Sequence, residues 1–399
     1  MVTQDERTHS TARGWLGVAA ITASLFVFLT TELMPIGLLT PLSTSLEITA
    51  GTAGLMVTLY GISAGMGVPF IVAWTRRVNR RVLLSTLLVV LSVGNLVTAI
   101  SPNYPLVLTT RLVMGFASGV FWAIGVSMAM RIVPPHHASR AAAVVMSGIS
   151  IATVAGIPLG TVVESLTSWR TTFLIWAGLG VLVLVAVAAT VPSLPSQNAV
   201  AVREVFGLPL WNVRLRLVLV VVVLFVLGHF GAYTFVRPFL ESDASATPVY
   251  ITAALMIFGA GGAIGNVIAG YTVTRSVRTS FVVGAAGLVG SLLLLLAIGQ
   301  VPAAPLVLLG LWGISFGVVQ LSQLTMTQAA APDTFEAAMS LNTLAYNSSI
   351  AIGALLGGLL VDNAGVRSVI WFGAALTAAS LLVMLTTRRT TSGAPAGSG

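Results

Sequence analysis

The chain has 399 residues, 56% of them hydrophobic and 8% charged, with a mean hydropathy of +0.99. Soluble domains carry about 25% charged residues, so the composition excludes an ordinary soluble protein and points to a membrane protein. The net charge of +8 comes from arginines that flank apolar spans, which fits a cytoplasmic membrane face and argues against nucleic acid as a partner; the absence of cysteine excludes disulfides and thiolate metal sites.

A spanning helix needs about 20 mostly apolar residues. Such stretches fall near 15–39, 51–74, 82–100, 105–130, 139–163 and 168–191, then near 215–240, 248–274, 279–298, 303–330, 336–361 and 366–387. The first is too long for a signal-peptide core and has no small-residue cleavage site, so it reads as a retained helix. The expected fold class is all-α, with twelve transmembrane helices in two pseudo-symmetric bundles. The expected divisions are 1–191 for the first six-helix bundle, 192–214 for a cytoplasmic linker, 215–389 for the second bundle and 390–399 for a disordered tail. The linker is assigned from its polar and proline-rich run, with Pro192, Pro195, Ser196 and Gln197. Fifteen of the nineteen arginines fall on one side of this topology, so both termini are expected in the cytoplasm.

The two halves repeat. Arg77 and Arg275, Arg80 and Arg278, Gly115 and Gly313, and Gly119 and Gly317 each stand 198 residues apart. Thr31-x-x-x-Pro35 in segment one recurs as Thr234-x-x-x-Pro238 in segment seven. The repeat breaks where charge lies: Arg111 maps to Leu309, and Glu32 maps to Phe235. A charge at membrane depth costs about 2.5–3.5 kcal/mol on insertion scales, so it usually has a partner or a purpose. Alternating direction puts Glu32 and Arg111 at similar depth. Two readings stand: a static ion pair holding two helices together, or a proton-coupling pair.

Helical spacing sketches a cavity, since residues three, four and seven apart share a face. The candidates are Phe28 with Glu32 on segment one, and Trp122 with Arg111 on segment four. Segment seven offers Phe225, His229 and Tyr233; segment ten offers Phe316, Gln320 and Gln323; segment eleven offers Asn347. An apolar wall with a few polar anchors is the usual look of a small-molecule pocket. Each has an ordinary alternative: aromatic stripes pack helices, His229 could be a neutral core histidine, and amides bond across helices. His136-His137 has no metal-spaced neighbours, and no phosphate-binding loop of the Walker type occurs. The chain is therefore not expected to be an enzyme, to hold a metal or to use ATP directly.

Several motifs carry a family resemblance. Arg111-x-x-x-Gly115-x-x-x-Gly119, the loop Arg76-Arg77-Val78-Asn79-Arg80-Arg81 and Ala155-Gly156-Ile157-Pro158-Leu159-Gly160 together resemble the major facilitator superfamily. In the loop, Arg76 and Asn79 stand where the family motif has aspartate and glycine, and a plain basic anchor accounts for it equally well. The Gly156–Pro158–Gly160 stretch looks like the antiporter motif of proton-coupled exporters; close helix packing is its other reading. Thr31-Glu32-Leu33-Met34-Pro35-Ile36-Gly37, Gly228-His229-Phe230-Gly231 and the run from Asn347 to Gly358 resemble the sugar-efflux and arabinose-efflux branch of the twelve-helix drug:proton antiporters.

The resemblance implies proton-coupled efflux of a small neutral or weakly charged molecule, such as a sugar, a nucleoside or a chloramphenicol-like drug. It implies alternating access in the inner membrane, by a monomer without cofactor, driven by the proton gradient. Glu32 and Arg111 would couple protons, while Arg77, Arg80, Arg81, Gly156, Pro158 and Gly160 would gate. The competing function is a passive facilitator of a small polar metabolite.

Overall fold

The computed structural model describes residues 4–74, 78–195 and 212–386, and within them all regular structure is helical. This follows from the solvent. A bilayer offers no partners to backbone N–H and C=O groups, so an apolar chain must satisfy them internally.

The helices are α1 (Gln4–Ser45), α2 (Ala50–Trp74), α3 (Arg80–Ile100), α4 (Tyr104–Arg131), α5 (Ala138–Ile151), α6 (Ile157–Leu166) and α7 (Trp169–Thr190). The second part has α8 (Val213–Tyr233), α9 (Val236–Asp243), α10 (Pro248–Ile298), α11 (Ala304–Ala330), α12 (Phe335–Ala364) and α13 (Arg367–Thr386). Polar side chains set many of the starts. Asn79, Asn103, Ser168, Asn212 and Thr247 each accept a hydrogen bond from a backbone N–H in the first turn of the helix that follows. Gly365 ends α12 at φ +79°, a left-handed conformation that favours glycine.

Ten helices among the described residues are long and apolar enough to cross a membrane. One of them, α10, has 51 residues. Straight, it would run about 76 Å, more than twice a hydrocarbon core of about 30 Å. It folds back at Ser276, whose φ of −163° and ψ of 103° are not helical. The Thr272 and Ser280 hydroxyls, eight residues apart, consequently lie 2.7 Å from each other. The two limbs of α10 match the expected segments eight and nine. The 25-residue α2 occupies the expected second segment.

Two expected continuous segments are interrupted, each beside a proline. Segment five is split by a π-helical turn at Ala152–Gly156. Pro158 has no N–H to bond the Val154 carbonyl four residues back, and a widened turn accommodates the loss. Segment seven breaks between Tyr233 and Val236, where Pro238 leaves the Thr234 carbonyl without its usual donor.

Buried side chains gather into two large apolar clusters and a small one of Leu215, Ala331, Ala338 and Leu341. One of the large clusters holds residues from 18 to 191, among them Phe28, Met114, Phe121 and Phe173. The other holds residues from 221 to 374 with a few from α1, α2 and the segment-five helices, such as Leu33, Val57 and Ile157. The ends of the polar interval are anchored: Arg80 N–H bonds the Leu194 carbonyl, Arg131 bonds the Pro195 carbonyl at 2.9 Å, and Asn212 bonds the Ala330 carbonyl at 2.7 Å. Most of the expected linker, and the expected tail at 390–399, lie outside the described residues.

The glycine repeat has a packing cause. A Cβ on Gly119 would stand 2.2 Å from the Ala64 carbonyl oxygen of α2, and one on Gly317 would stand 2.2 Å from the Gly262 carbonyl oxygen of α10. Backbones touch at both places. Gly119→Ala and Gly317→Ala should therefore each destabilise the protein by about 1–3 kcal/mol. Gly178→Ala and Gly290→Ala, where an added Cβ meets no atom within 4 Å, should not lower the melting temperature. Thermal unfolding in detergent of the four variants checks the contrast.

Candidate functional site

The site begins with α1, which carries Pro35 and Pro41 inside its length. Proline at position i removes the donor for the carbonyl at i−4. The two prolines therefore free the carbonyls of Thr31 and Gly37 in the middle of an apolar bundle, where an unpaired carbonyl costs about 1–3 kcal/mol. Each is met by an arginine. Arg111 Nη1 of α4 donates to the Thr31 carbonyl at 2.8 Å. Arg237 Nη1 of α9 donates to the Gly37 carbonyl.

Arg111 is fully buried. Its guanidinium carbon lies 4.9 Å from the Phe173 ring centre and 5.8 Å from that of Tyr60, within the range of cation–π attraction. Among the described residues, the salt bridges join Arg237 to Glu164, Arg237 to Glu241 and Arg367 to Asp243; none joins Glu32 to Arg111. Glu32 instead receives Ser118 Oγ–H at 3.4 Å. The direct ion pair considered from the sequence is not formed. Arg111 is held on the backbone next to the acid rather than on the acid itself.

Glu32 lines a cavity of about 370 Å³, as do Trp122, His229, Tyr233, Phe316, Gln320, Gln323 and Asn347. The cavity lies between α1, α4 and α5 on one side and α8, α10, α11 and α12 on the other. Phe28 and Phe225 do not line it. Phe28 stacks on Phe121 with ring centres 4.5 Å apart, and Phe225 is fully buried behind His229 and Phe316. Both are one helical turn short of the wall, so the face read from spacing was right in direction and too long. Sequence reasoning missed Phe230, Phe258, Asn266 and Tyr346, which, like Asn342, also line the cavity. Phe258 and Asn266 lie on α10, a helix left out of the sequence sketch; Tyr346 lies beside Asn347, which was included.

One end of the bundle, the end carrying Glu47, Ser101 and Asp243, is closed by polar contacts between helices. Arg237, nearly buried, bonds Glu164 Oε2 at 3.0 Å and Glu241 Oε1 at 2.8 Å. Thr40 donates to Glu241. The Thr161 and Thr252 hydroxyls lie 3.0 Å apart. Asp362 accepts from Thr49 Oγ1 at 2.7 Å and from Gly51 N–H at 2.9 Å. Glu241, four residues after Arg237, is the sequence signal for this cluster, because such pairs share a helix face. The expected gating residues are spread over different places. Arg81 donates to the Ala188 carbonyl, and Gly156 and Gly160 face Thr30 and Met34 of α1. Pro158 is buried in α6 beside the π turn. Arg77 lies outside the described residues.

A family model described as Major Facilitator Superfamily matches residues 18–339. The chain belongs to the major facilitator superfamily. It is accordingly a membrane transporter. Its fold is similar to that of the nucleoside transporter NupG, with a TM-score of 0.77 at 13% identity, covering 93% of this chain and 98% of that one. It is also similar to a bacterial homolog of the human lysosomal transporter Spinster, solved in an inward-facing and unoccupied conformation. There the TM-score is 0.69 at 12% identity, covering 94% of this chain and 95% of that one. Identities this low carry the fold alone.

Two outcomes test the roles given to the buried arginines of this facilitator. Arg111→Met should destabilise the protein by about 1–3 kcal/mol by leaving the Thr31 carbonyl unpaired. Adding Pro35→Ala restores a local N–H and should recover part of that loss; a double variant no more stable than the single would show that the carbonyl is not what Arg111 serves. At the closed end, a Thr161→Cys/Thr252→Cys pair should crosslink readily in a protein without native cysteine. Arg237→Ala should lower the crosslinking yield by releasing that end, and an unchanged yield would count against the role of the cluster.

Proposed function

We propose that this facilitator is a proton-coupled exporter of a small neutral or weakly charged organic molecule, of the drug:proton antiporter type with a sugar-efflux-like character. The observation that carries the reading is one carboxylate, Glu32, in the wall of the central cavity. It is 6% exposed and among the described residues has no cationic side chain bonded to it, while Arg111 is fixed on the neighbouring backbone. An ionised carboxylate in such a place is costly, so a proton and a substrate can compete to relieve the same charge. Arg111 supplies a constant positive field that keeps the charged form accessible.

The cycle follows from the two bundles, with boundaries at 1–191, 192–214, 215–389 and 390–399, rocking about the cavity. Both termini lie in the cytoplasm of an inner-membrane protein, and the end closed by Arg237 is the outer face. Substrate enters from the cytoplasm while Glu32 is charged. After rocking, a proton from outside neutralises Glu32, substrate leaves, and the protonated form returns and releases its proton to the cytoplasm. The π turn before Pro158 and the close contacts of Gly156 and Gly160 give segment five a soft point beside α1, which suits a moving seam. The protein works as a monomer, needs no cofactor and draws on the proton gradient.

Glu32→Gln keeps the shape of the side chain and removes its titration. It should abolish gradient-driven flux in proteoliposomes while leaving a folded protein that still binds substrate. Full gradient-dependent flux in this variant would remove Glu32 from the coupling step. Flux that ignores the gradient in the unmodified protein would make it a passive facilitator.

A further inference from the structure

The cavity wall from the second half of the chain contains a histidine whose tautomer is fixed. Trp312 Nε1–H donates to His229 Nδ1 at 3.1 Å. An indole nitrogen only donates, so Nδ1 is an acceptor and carries no proton. In the neutral ring the proton then resides on Nε2. The ring has little freedom to turn. It stacks on Phe316 with centres 4.1 Å apart and on Tyr233 at 5.3 Å. Trp312 is itself fully buried. Since His229 lines the cavity, the polar atom it can offer is the Nε2–H donor.

Gln320 is oriented by a phenol, a looser constraint because a phenol oxygen both donates and accepts. Tyr346 O–H donates to Gln320 Oε1 at 2.9 Å, which takes one of that oxygen's two acceptor sites and leaves the NH₂ group without a hydrogen-bond partner among the described residues. Two other amides are not fixed this way. Asn342 shares the single Thr327 proton with the Gln323 carbonyl, and Gln323 keeps its Oε1 buried away from the cavity surface. The opposite wall carries Glu32, which can only accept while ionised and gains an O–H donor once protonated. Around these groups Phe230, Tyr233, Phe258 and Phe316 supply ring faces.

We propose that His229, locked by Trp312, and Gln320, oriented by Tyr346, form a hydrogen-bond donor edge that selects neutral ring compounds presenting carbonyl or ring-nitrogen acceptors to it and an N–H or O–H donor toward Glu32. The inference rests on the cavity being the substrate site. Trp312 and Tyr346 are positioning residues: they set which partner the wall demands without forming the wall's hydrogen bonds. The aromatic lining takes the face of the ring, and the two donors read its edge. Glu32 remains the only group of the three that exchanges a proton.

Two measurements test it on the full chain in detergent. Ring nitrogen NMR of histidine-labelled protein, with His229 assigned by comparison with His229→Gln, should show the Nε2–H neutral tautomer. An Nδ1–H or doubly protonated ring would overturn the assignment. Binding of inosine and 7-deazainosine, which differ only in whether ring position seven carries a nitrogen acceptor beside the carbonyl, should favour inosine by about fivefold, the worth of one hydrogen bond of about 1 kcal/mol. Tyr346→Phe, which frees Gln320 to turn its amide, should shrink that ratio toward one, and Trp312→Phe should both shrink it and mix the His229 tautomers. Equal or reversed affinities, binding of neither nucleoside, or an unchanged ratio in Tyr346→Phe would each overturn the donor edge. Loss of proton coupling with the ratio intact would instead fault the exporter reading and leave this one standing.

Discussion

Two carbonyl groups in α1 organise this molecule. Pro35 and Pro41 leave Thr31 and Gly37 without helical donors, and an apolar bundle offers no water in exchange. The chain answers with the two arginines that are buried among the described residues. Arg111 comes from α4 within the first half and Arg237 from α9 in the second. One contact fixes a charge beside Glu32. The other ties α9 to α1 and brings Glu164 and Glu241 with it. The position of charge at the centre and the closure of one end thus share one origin, the loss of two backbone donors.

The contrast between these arginines is chemical. Arg237 has two carboxylates, so its charge is compensated. Arg111 has one carbonyl and two aromatic faces, and its Nε and Nη2 have no hydrogen-bond partner among the described residues. A compensated cluster resists separation because each partner would be left as a lone buried charge. Arg111, which no carboxylate bonds among the described residues, leaves the centre without such a brace.

The walls of the cavity are unlike each other for a related reason. The internal repeat is kept in the glycines that let helices touch, at Gly119 against α2 and at Gly317 against α10. It is abandoned in the lining. Where the first half has Arg111, the second has Leu309, and the second half builds its side of the cavity from His229, Phe316 and Gln320. Shared packing and divergent chemistry give one acidic wall and one aromatic, amide-bearing wall.

The sequence alone determined the membrane class, the all-helical architecture and most of the segment positions, because about 20 apolar residues in a row have few physical alternatives in water or lipid. It also determined the family, and it singled out Glu32, His229, Gln320 and Tyr233 as cavity residues, because helical spacing carries a face reliably over one or two turns. Tertiary structure decided the rest. Phe28 and Phe225 share the same faces yet fall inside the bundles, since depth depends on the neighbouring helix and not on spacing. That Arg111 serves the Thr31 carbonyl instead of Glu32 depends on where α4 meets the proline break of α1. The Arg237 cluster joins residues on α1, α6 and α9, and the His229 tautomer depends on Trp312, 83 residues away. A linear pattern records which residues share a helix face; which partner satisfies a buried polar group is fixed only when helices distant in sequence are brought together.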